Sequence, residues 1–156
     1  MAKLRHLAMS VPDPEATAKF YIDAFDMKLV GRTNSPLAKG TYVSDGVITV
    51  ALLNFKNDLQ GPRDFVGLHH LGFWVDNLEE SEKQVEAAGA DYLMGRPEKG
   101  DTRTMFYEEK YKDPNGVIFD ITELGWGGAT KDVIAAPGTP EPPQRSLNPE
   151  EEKAHA

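Results

Sequence analysis

Apolar and polar positions alternate with a period of two at the start of the chain. Leu7, Met9 and Val11 fall on one side and His6, Ala8 and Ser10 on the other, as in a strand with two different faces. Asp13-Pro14 follows, a capping residue and a proline suited to the first helical position. Phe20, Ala24 and Phe25 then recur at helical spacing. Asp45-Gly46 is a hairpin signal that introduces an apolar strand over 47–55. The same signals then return. Leu68 to Val75 alternates like the first strand, and Asn77-Leu78-Glu79-Glu80 resembles a capping box. Leu78, Val85 and Ala88 can line one helical face, and Gly89 sits where a helix C-cap belongs. Asn115-Gly116 precedes another apolar strand over 117–124.

The two halves match residue by residue. Leu4–Val11 aligns with Leu68–Val75 at an offset of 64, which carries His6 onto His70. The same offset pairs Glu15 with Glu79, Ala24 with Ala88, Leu29 with Leu93, and Gly31-Arg32 with Gly95-Arg96. The turns Asp45-Gly46 and Asn115-Gly116 align at an offset of 70, so the second copy is longer. An ordered series of identities at one spacing is the mark of an internal repeat. The predicted architecture is α+β: two modules of strand, helix and three strands (βαβββ), spanning 3–57 and 66–126 of one domain over 1–128.

Beyond that domain the composition changes. Pro137, Pro140, Pro142, Pro143 and Pro149 are interspersed with Gly, Glu, Gln and Ser, and large apolar side chains nearly vanish. Residues 129–156 read as a Pro/Glu-rich tail, flexible or surface-docked from about 135, because such a segment cannot offset its ordering entropy by burial. His155 thereby loses its claim as a ligand.

Composition narrows the function classes. A chain of 156 residues, 40% hydrophobic and 27% charged, can bury one ordinary core. No stretch approaches a membrane span, and Leu4–Met9 runs straight into a strand without a leader. The absence of cysteine excludes disulfides and thiolate chemistry and fits a cytoplasmic protein. A formal charge of −8 argues against nucleic acid or an anionic membrane as the main partner and says nothing against a small-molecule substrate.

His6 and His70 occupy equivalent positions in the repeat. If the modules pack about a pseudo-twofold axis, both imidazoles face one cleft and are candidate metal ligands. The last strand offers two carboxylates. Phe119 and Ile121 are large and apolar, so they belong on the helix-covered face with Val117 and Glu123, while Ile118, Asp120 and Thr122 point the other way. A mid-strand aspartate between two large apolar residues must be paired or bound to a cation. Asp120 is therefore the expected third ligand, with Glu123 in reserve and a buried salt bridge to Lys or Arg as the alternative. Aligning the two turn glycines places Val50 opposite Asp120, and neighbouring Ala51 cannot coordinate either. Two histidines and one carboxylate leave positions open for water, substrate or dioxygen. This set suits non-haem Fe(II), and Mn(II), Zn(II), Ni(II) or Co(II) also fit it. Acid–base groups are sought on the strand Met105–Tyr111, where Tyr107, Glu109 and Tyr111 share one face; the alternative is an amphipathic surface strand. His69 has the opposite parity to His70 and reads as an orienting or surface residue. Arg103 could hold a substrate carboxylate.

These residues make the chain resemble the vicinal oxygen chelate superfamily, which includes glyoxalase I, methylmalonyl-CoA epimerase, fosfomycin-resistance enzymes and extradiol dioxygenases. The resemblance covers about residues 3–126. It rests on Leu-x-His-Leu at the start of each module and on Asp113-Pro114-Asn115-Gly116 with the strand behind it. It implies curved sheets forming an open barrel-like cleft, a homodimer, and one divalent metal that chelates neighbouring oxygens of a substrate. The family's ligand positions fall on His6, His70 and Asp120, the last usually glutamate in relatives. Glyoxalase I and the epimerase use a fourth ligand from the first module, where this chain has Val50 or Ala51. The activity implied first is therefore that of a non-haem Fe(II) dioxygenase. A non-redox isomerase or lyase of glyoxalase type is the second, and a metal-free, ligand-sequestering protein of the bleomycin-resistance kind the third.

Overall fold

The computed structural model of the chain describes residues 1–96 and 108–143. Its elements, in order, are β1 (Lys3–Ser10), α1 (Pro14–Phe25), β2 (Lys28–Asn34), β3 (Ala38–Ser44), β4 (Thr49–Phe55), β5 (Gly67–Trp74), α2 (Leu78–Ala87), β6 (Asp91–Met94), β7 (Glu109–Lys112) and β8 (Ile118–Thr122). The strand–helix–three-strand unit therefore occurs twice. The strands form one continuous eight-stranded sheet in the order β2-β3-β4-β1-β5-β8-β7-β6, with β1 and β5 pairing antiparallel at its centre. Each module also has one parallel pair, β1 with β4 and β5 with β8. Both modules meet within one chain, and the fold is the α+β, glyoxalase-type arrangement that the repeat predicts.

Local chemistry places the elements as expected. The Asp13 carboxylate accepts from the Ala16 amide at 3.1 Å and Asn77 accepts from Glu80 at 2.9 Å, capping the two helices. Gly46 and Gly116 adopt φ of 99° and 83° in the two turns, conformations that a side chain disfavours. The first helix turns a different stripe inward from the one its aromatic residues suggest. Ala18, with Tyr21 and Ile22 beside it, packs on Val43 and Leu52, whereas Phe20, Ala24 and Phe25 face outward. The inward set recurs at four and three residues; Phe20 lies on the far side of that stripe, and Phe25, the last residue of the helix, stacks on Tyr21 but stays exposed. In α2, Leu78 and Val85 pack over Val75, Tyr111 and Ile121, while Ala88 stays exposed.

Two layers of side chains result. The outer face of the sheet carries the two helices, and the concave face lines a cleft. Among the described residues no helix is long and apolar enough to cross a membrane.

Candidate metal centre and cleft

Register brings the two repeated histidines together. In the β1–β5 ladder Leu7 lies opposite Leu71, its own counterpart in the repeat, so the pseudo-twofold axis passes through this pair. His6 and His70, each one residue before these leucines, then sit diagonally across the axis on the cleft face. Their Nε2 atoms are 3.3 Å apart, and both rings are buried. Space for them comes from small neighbours. His6 faces Gly72, where an added Cβ would lie 2.6 Å from the His6 Cβ and 2.8 Å from the Trp126 ring. Gly72 is the repeat counterpart of Ala8, which lies opposite His70.

β8 supplies the carboxylate. Phe119 and Ile121 join the layer under α2, and Asp120 and Thr122 are fully buried on the opposite face, as the alternation predicts. Asp120 Oδ2 is 3.1 Å from His70 Nε2 and 3.7 Å from His6 Nε2. Glu123 lies on the other face, is exposed, and does not join the cluster. Bonds of roughly 2.0–2.2 Å to one divalent ion would hold its donors about 3.0–3.5 Å apart. The three donor atoms nearly meet that spacing already. Asp120 Oδ2 and His6 Nδ1 are also buried without a hydrogen-bond partner among the described residues, a costly condition that a cation at the first of them relieves. The donor set therefore fits a divalent metal.

Electrostatics favour the same state. Burial, and then the neighbouring His70, push the His6 pKa down to about 3. Burial also lowers those of His70 and His69. All three are thus neutral imidazoles near pH 7, the form that binds metals. Burial alone would raise the Asp120 pKa, but the Lys110 ammonium and then His70 hold it well below the carboxylate range. Lys110 Nζ donates to Asp120 Oδ1 at 2.7 Å. The carboxylate thus gives one oxygen to lysine and keeps the other for the histidine side. The salt bridge and the metal-ligand reading of Asp120 are compatible.

The cleft face of β7 differs from the one the sequence singled out. Glu108 and Lys110 line the cavity, and Glu109 and Tyr111 point under α2. Tyr111 stacks on Phe119, and its hydroxyl is hydrogen-bonded by Arg96 at 3.0 Å. Glu109 is buried beside it. Neither reaches the histidines. The reason is register: Lys110 pairs with Asp120 across β7–β8, so even-numbered residues of β7 share the cleft face with the carboxylate. Tyr107 and Arg103 lie outside the described residues. Glu108 is the carboxyl on the cavity wall that the sequence did not single out. Its Oε2 accepts from Trp126 Nε1 at 2.9 Å, and its Oε1 is 3.4 Å from Lys110 Nζ. Burial and the Asp120 charge push its pKa up to about 7. The buried aspartate's need for a cation points to Lys110, and only that pairing shows that Glu108, at the same parity, meets the cleft.

Trp126 closes one wall, stacked on His6 with ring centroids 4.8 Å apart. The cavity measures about 140 Å³, with Leu37, Leu53, Phe55, Gln60 and Tyr42 among its walls. The wall opposite Asp120 is Ala51 rather than Val50. Ala51 pairs with Ala8 as Asp120 pairs with Gly72, and Val50 packs on the helix side. The first-module counterpart of Asp120 is thus an alanine facing the cavity.

Paired βαβββ modules around a cleft that holds a histidine–carboxylate cluster define the class of fold and site, and comparison with known proteins gives the family. The chain belongs to the Glyoxalase/Bleomycin resistance protein/Dioxygenase superfamily, whose family model matches residues 3–121. A curated relative, the probable chloroplastic lactoylglutathione lyase of Arabidopsis thaliana, is 27% identical over 130 residues. That match takes in 79% of this chain but only 36% of the relative's length. Among solved structures, a hypothetical protein of Bacillus halodurans C-125 superposes with a TM-score of 0.62 at 19% identity, covering 86% of this chain and 99% of that one. A variant of the methylmalonyl-CoA epimerase of Streptomyces coelicolor, bound to 2-nitronate-propionyl-CoA, gives 0.62 at 16% identity, covering 76% and 94%. At these identities the structures share the fold.

Proposed function

We propose that this protein is a metal-dependent enzyme of isomerase or lyase type, which moves a proton on a small substrate held through neighbouring oxygens. The observation that carries this reading is the pairing of the His6–His70–Asp120 cluster with a carboxyl, Glu108, that opens onto the same cavity. The named relatives, a lactoylglutathione lyase and an epimerase, agree with it. His6, His70 and Asp120 would hold the divalent ion. When bound, the ion supplies Lewis acidity to the two substrate oxygens. Glu108 takes the proton from the carbon next to them and returns it. Lys110 holds Asp120 in place through Oδ1 and lies beside the negative charge that Glu108 carries as the base and loses on taking the proton. Gln60 Oε1, buried and without a partner among the described residues, accepts a hydrogen bond from a substrate hydroxyl or amide. Walls of leucine and phenylalanine exclude water from the transfer.

The test combines metal analysis with substrate-proton exchange in deuterium oxide, on compact 2-oxo and 2-hydroxy acids, hemithioacetals and 2-substituted malonyl thioesters. The purified or reconstituted protein should contain about one divalent ion, and His70→Ala should lose it. Glu108→Gln should keep the ion and slow exchange roughly 10²–10⁴-fold. No metal uptake after reconstitution would overturn the reading in favour of a ligand-sequestering protein.

One observation favours a second reading. Ala51 lines the cavity and offers no donor atom, so an ion held by His6, His70 and Asp120 would have three protein ligands, the set that suits Fe(II) dioxygenase chemistry. Oxygen consumption with catechol-type substrates, dependent on Fe(II) and absent with Zn(II), would favour it.

A further inference from the structure

β1 and β5 each contain one irregularity, and the two are related by the repeat. In β1 the register steps from Leu4 to His6 while β5 steps only from Phe73 to Gly72, leaving Arg5 as the extra residue. In β5 it steps from Leu68 to His70 while β1 steps from Met9 to Ala8, leaving His69. Arg5 and His69 are 64 residues apart, so they are counterparts. A bulge re-aims the side chain of its extra residue, and the two modules use this differently. Arg5 reaches out to the Thr130 and Lys131 carbonyls at 2.7 and 2.9 Å. His69 is instead brought alongside its neighbour: its Nδ1 lies 2.7 Å from His70 Nδ1, although regular alternation would point the two rings apart.

Hydrogen positions in this chain follow from one fixed point. His69 Nε2 is 2.8 Å from the Gln60 backbone carbonyl, and a carbonyl only accepts. The His69 proton is therefore on Nε2, and its Nδ1 carries a lone pair. For the 2.7 Å contact to be a hydrogen bond, His70 must donate from Nδ1. His70 Nε2 is then bare, and it is the atom that faces His6 Nε2 and Asp120 Oδ2. The ring of His69 is itself clamped, its centroid 4.4 Å from that of Phe55.

We infer that His69 is a positioning residue: the relay from the Gln60 carbonyl through His69 locks His70 in the Nδ1–H tautomer and presents its Nε2 lone pair to the metal cluster. The consequence for metal binding rests on the proposed role of His70 as a ligand, but the tautomer does not. Outer hydrogen bonds of this kind fix ring orientation and ligand basicity. Here the acceptor is another imidazole, supplied by the adjacent residue through a bulge.

The test uses chelator-treated full-length protein with ¹⁵N-labelled histidine. Long-range ¹H–¹⁵N spectra should show His70 protonated at Nδ1 and bare at Nε2. His69→Asn keeps an acceptor at the δ position and should preserve that pattern. His69→Phe keeps the ring stack on Phe55 but removes the acceptor, and should release it. Titration with Co²⁺, followed by its visible absorption, should then show His69→Phe weakened roughly 10- to 100-fold and His69→Asn close to wild type. A His70 protonated at Nε2 in the wild type would overturn the inference, whether or not the variants fold. So would a His69→Phe protein that binds Co²⁺ as tightly as wild type. Absence of Co²⁺ binding in wild type, with the tautomer as stated, would support the relay and sink the metal reading instead.

Discussion

Gly72 and Lys110 make different demands on the cluster. Gly72 is required for space, since any Cβ there meets His6 and Trp126 at 2.6–2.8 Å. Gly72→Ala should therefore cost about 1–3 kcal/mol in thermal stability, as overpacking does, and weaken metal binding by displacing the His6 ring. Calorimetry and a metal titration check the two effects. Lys110 is required for charge. It is buried against a fully buried Asp120, so Lys110→Met leaves a carboxylate without its partner, at a cost of about 3–5 kcal/mol. Denaturant titration of the metal-free variant measures that loss, and adding a divalent ion should restore part of it. Residue-level legibility in the sequence followed the same division. His6 and His70 were readable because the repeat marks them, and Asp120 because its neighbours Phe119 and Ile121 fix the parity. Glu108 was not readable, because charged and aromatic residues alternate on both faces of its strand and only the pairing of Lys110 with Asp120 decides which face meets the cleft.

At the scale of elements, β7 separates two ionisable groups by its pleat. Lys110 faces the cleft, whereas Glu109 faces α2 among Tyr111, Arg96 and the α2 glutamates Glu82 and Glu86. Burial, and then the hydrogen bond and charge of Glu82, push the Glu109 pKa up to about 8. Unfolded, the carboxyl titrates near 4.5. The folded state thus binds the proton more tightly, and Glu109's contribution to stability is complete below about pH 4.5 and lost as the pH rises towards 8. Below pH 6.5 the neutral buried histidines oppose this trend, because the unfolded chain takes up protons that they refuse. Glu108, whose pKa burial raises to about 7, adds to the fall below that pH, so the window from about 7 to 8 isolates Glu109. Melting temperatures should fall across it, and Glu109→Gln should flatten the slope; an unchanged slope would refute the assignment. The elements themselves were legible where local chemistry acts alone, as in the Asp13 and Asn77 caps and the Gly46 and Gly116 turns. The inward stripe of α1 was not, because Phe20 and Phe25 outweigh Ala18 in any hydrophobicity pattern although Ala18 makes the close contact with the sheet.

For the whole molecule, the repeat accounts for the central β1–β5 ladder and for a site contained in one chain, but not for the segment that leaves β8. Composition places the end of the domain near residue 128, yet the chain continues as a strap across the first module. Ser44 donates to the Gly128 carbonyl at 2.7 Å and Thr49 to that of Gly127 at 2.6 Å. The Thr130 amide donates to Val47 at 3.1 Å, and Arg5 grips Thr130 and Lys131. Lys131 in turn pairs with Asp76 in the second module. At its start this strap carries Trp126, the wall of the cleft that stacks on His6 and donates to Glu108. The partners are backbone carbonyls, which no side-chain pattern reveals, and this is why the strap was not legible in the sequence. Two truncations separate strap from tail. Removing 135–156 should leave the melting temperature and metal affinity unchanged. Ending the chain at Gly125 removes the buried tryptophan and at least four hydrogen bonds. At about 1 kcal/mol per hydrogen bond and about 2–3 kcal/mol for the burial of a large ring, the loss should be several kcal/mol. The shortened protein should also bind divalent ions more weakly, because His6 loses the surface against which its ring is held. Equal stability of the two truncations would show that the strap only lies on the surface.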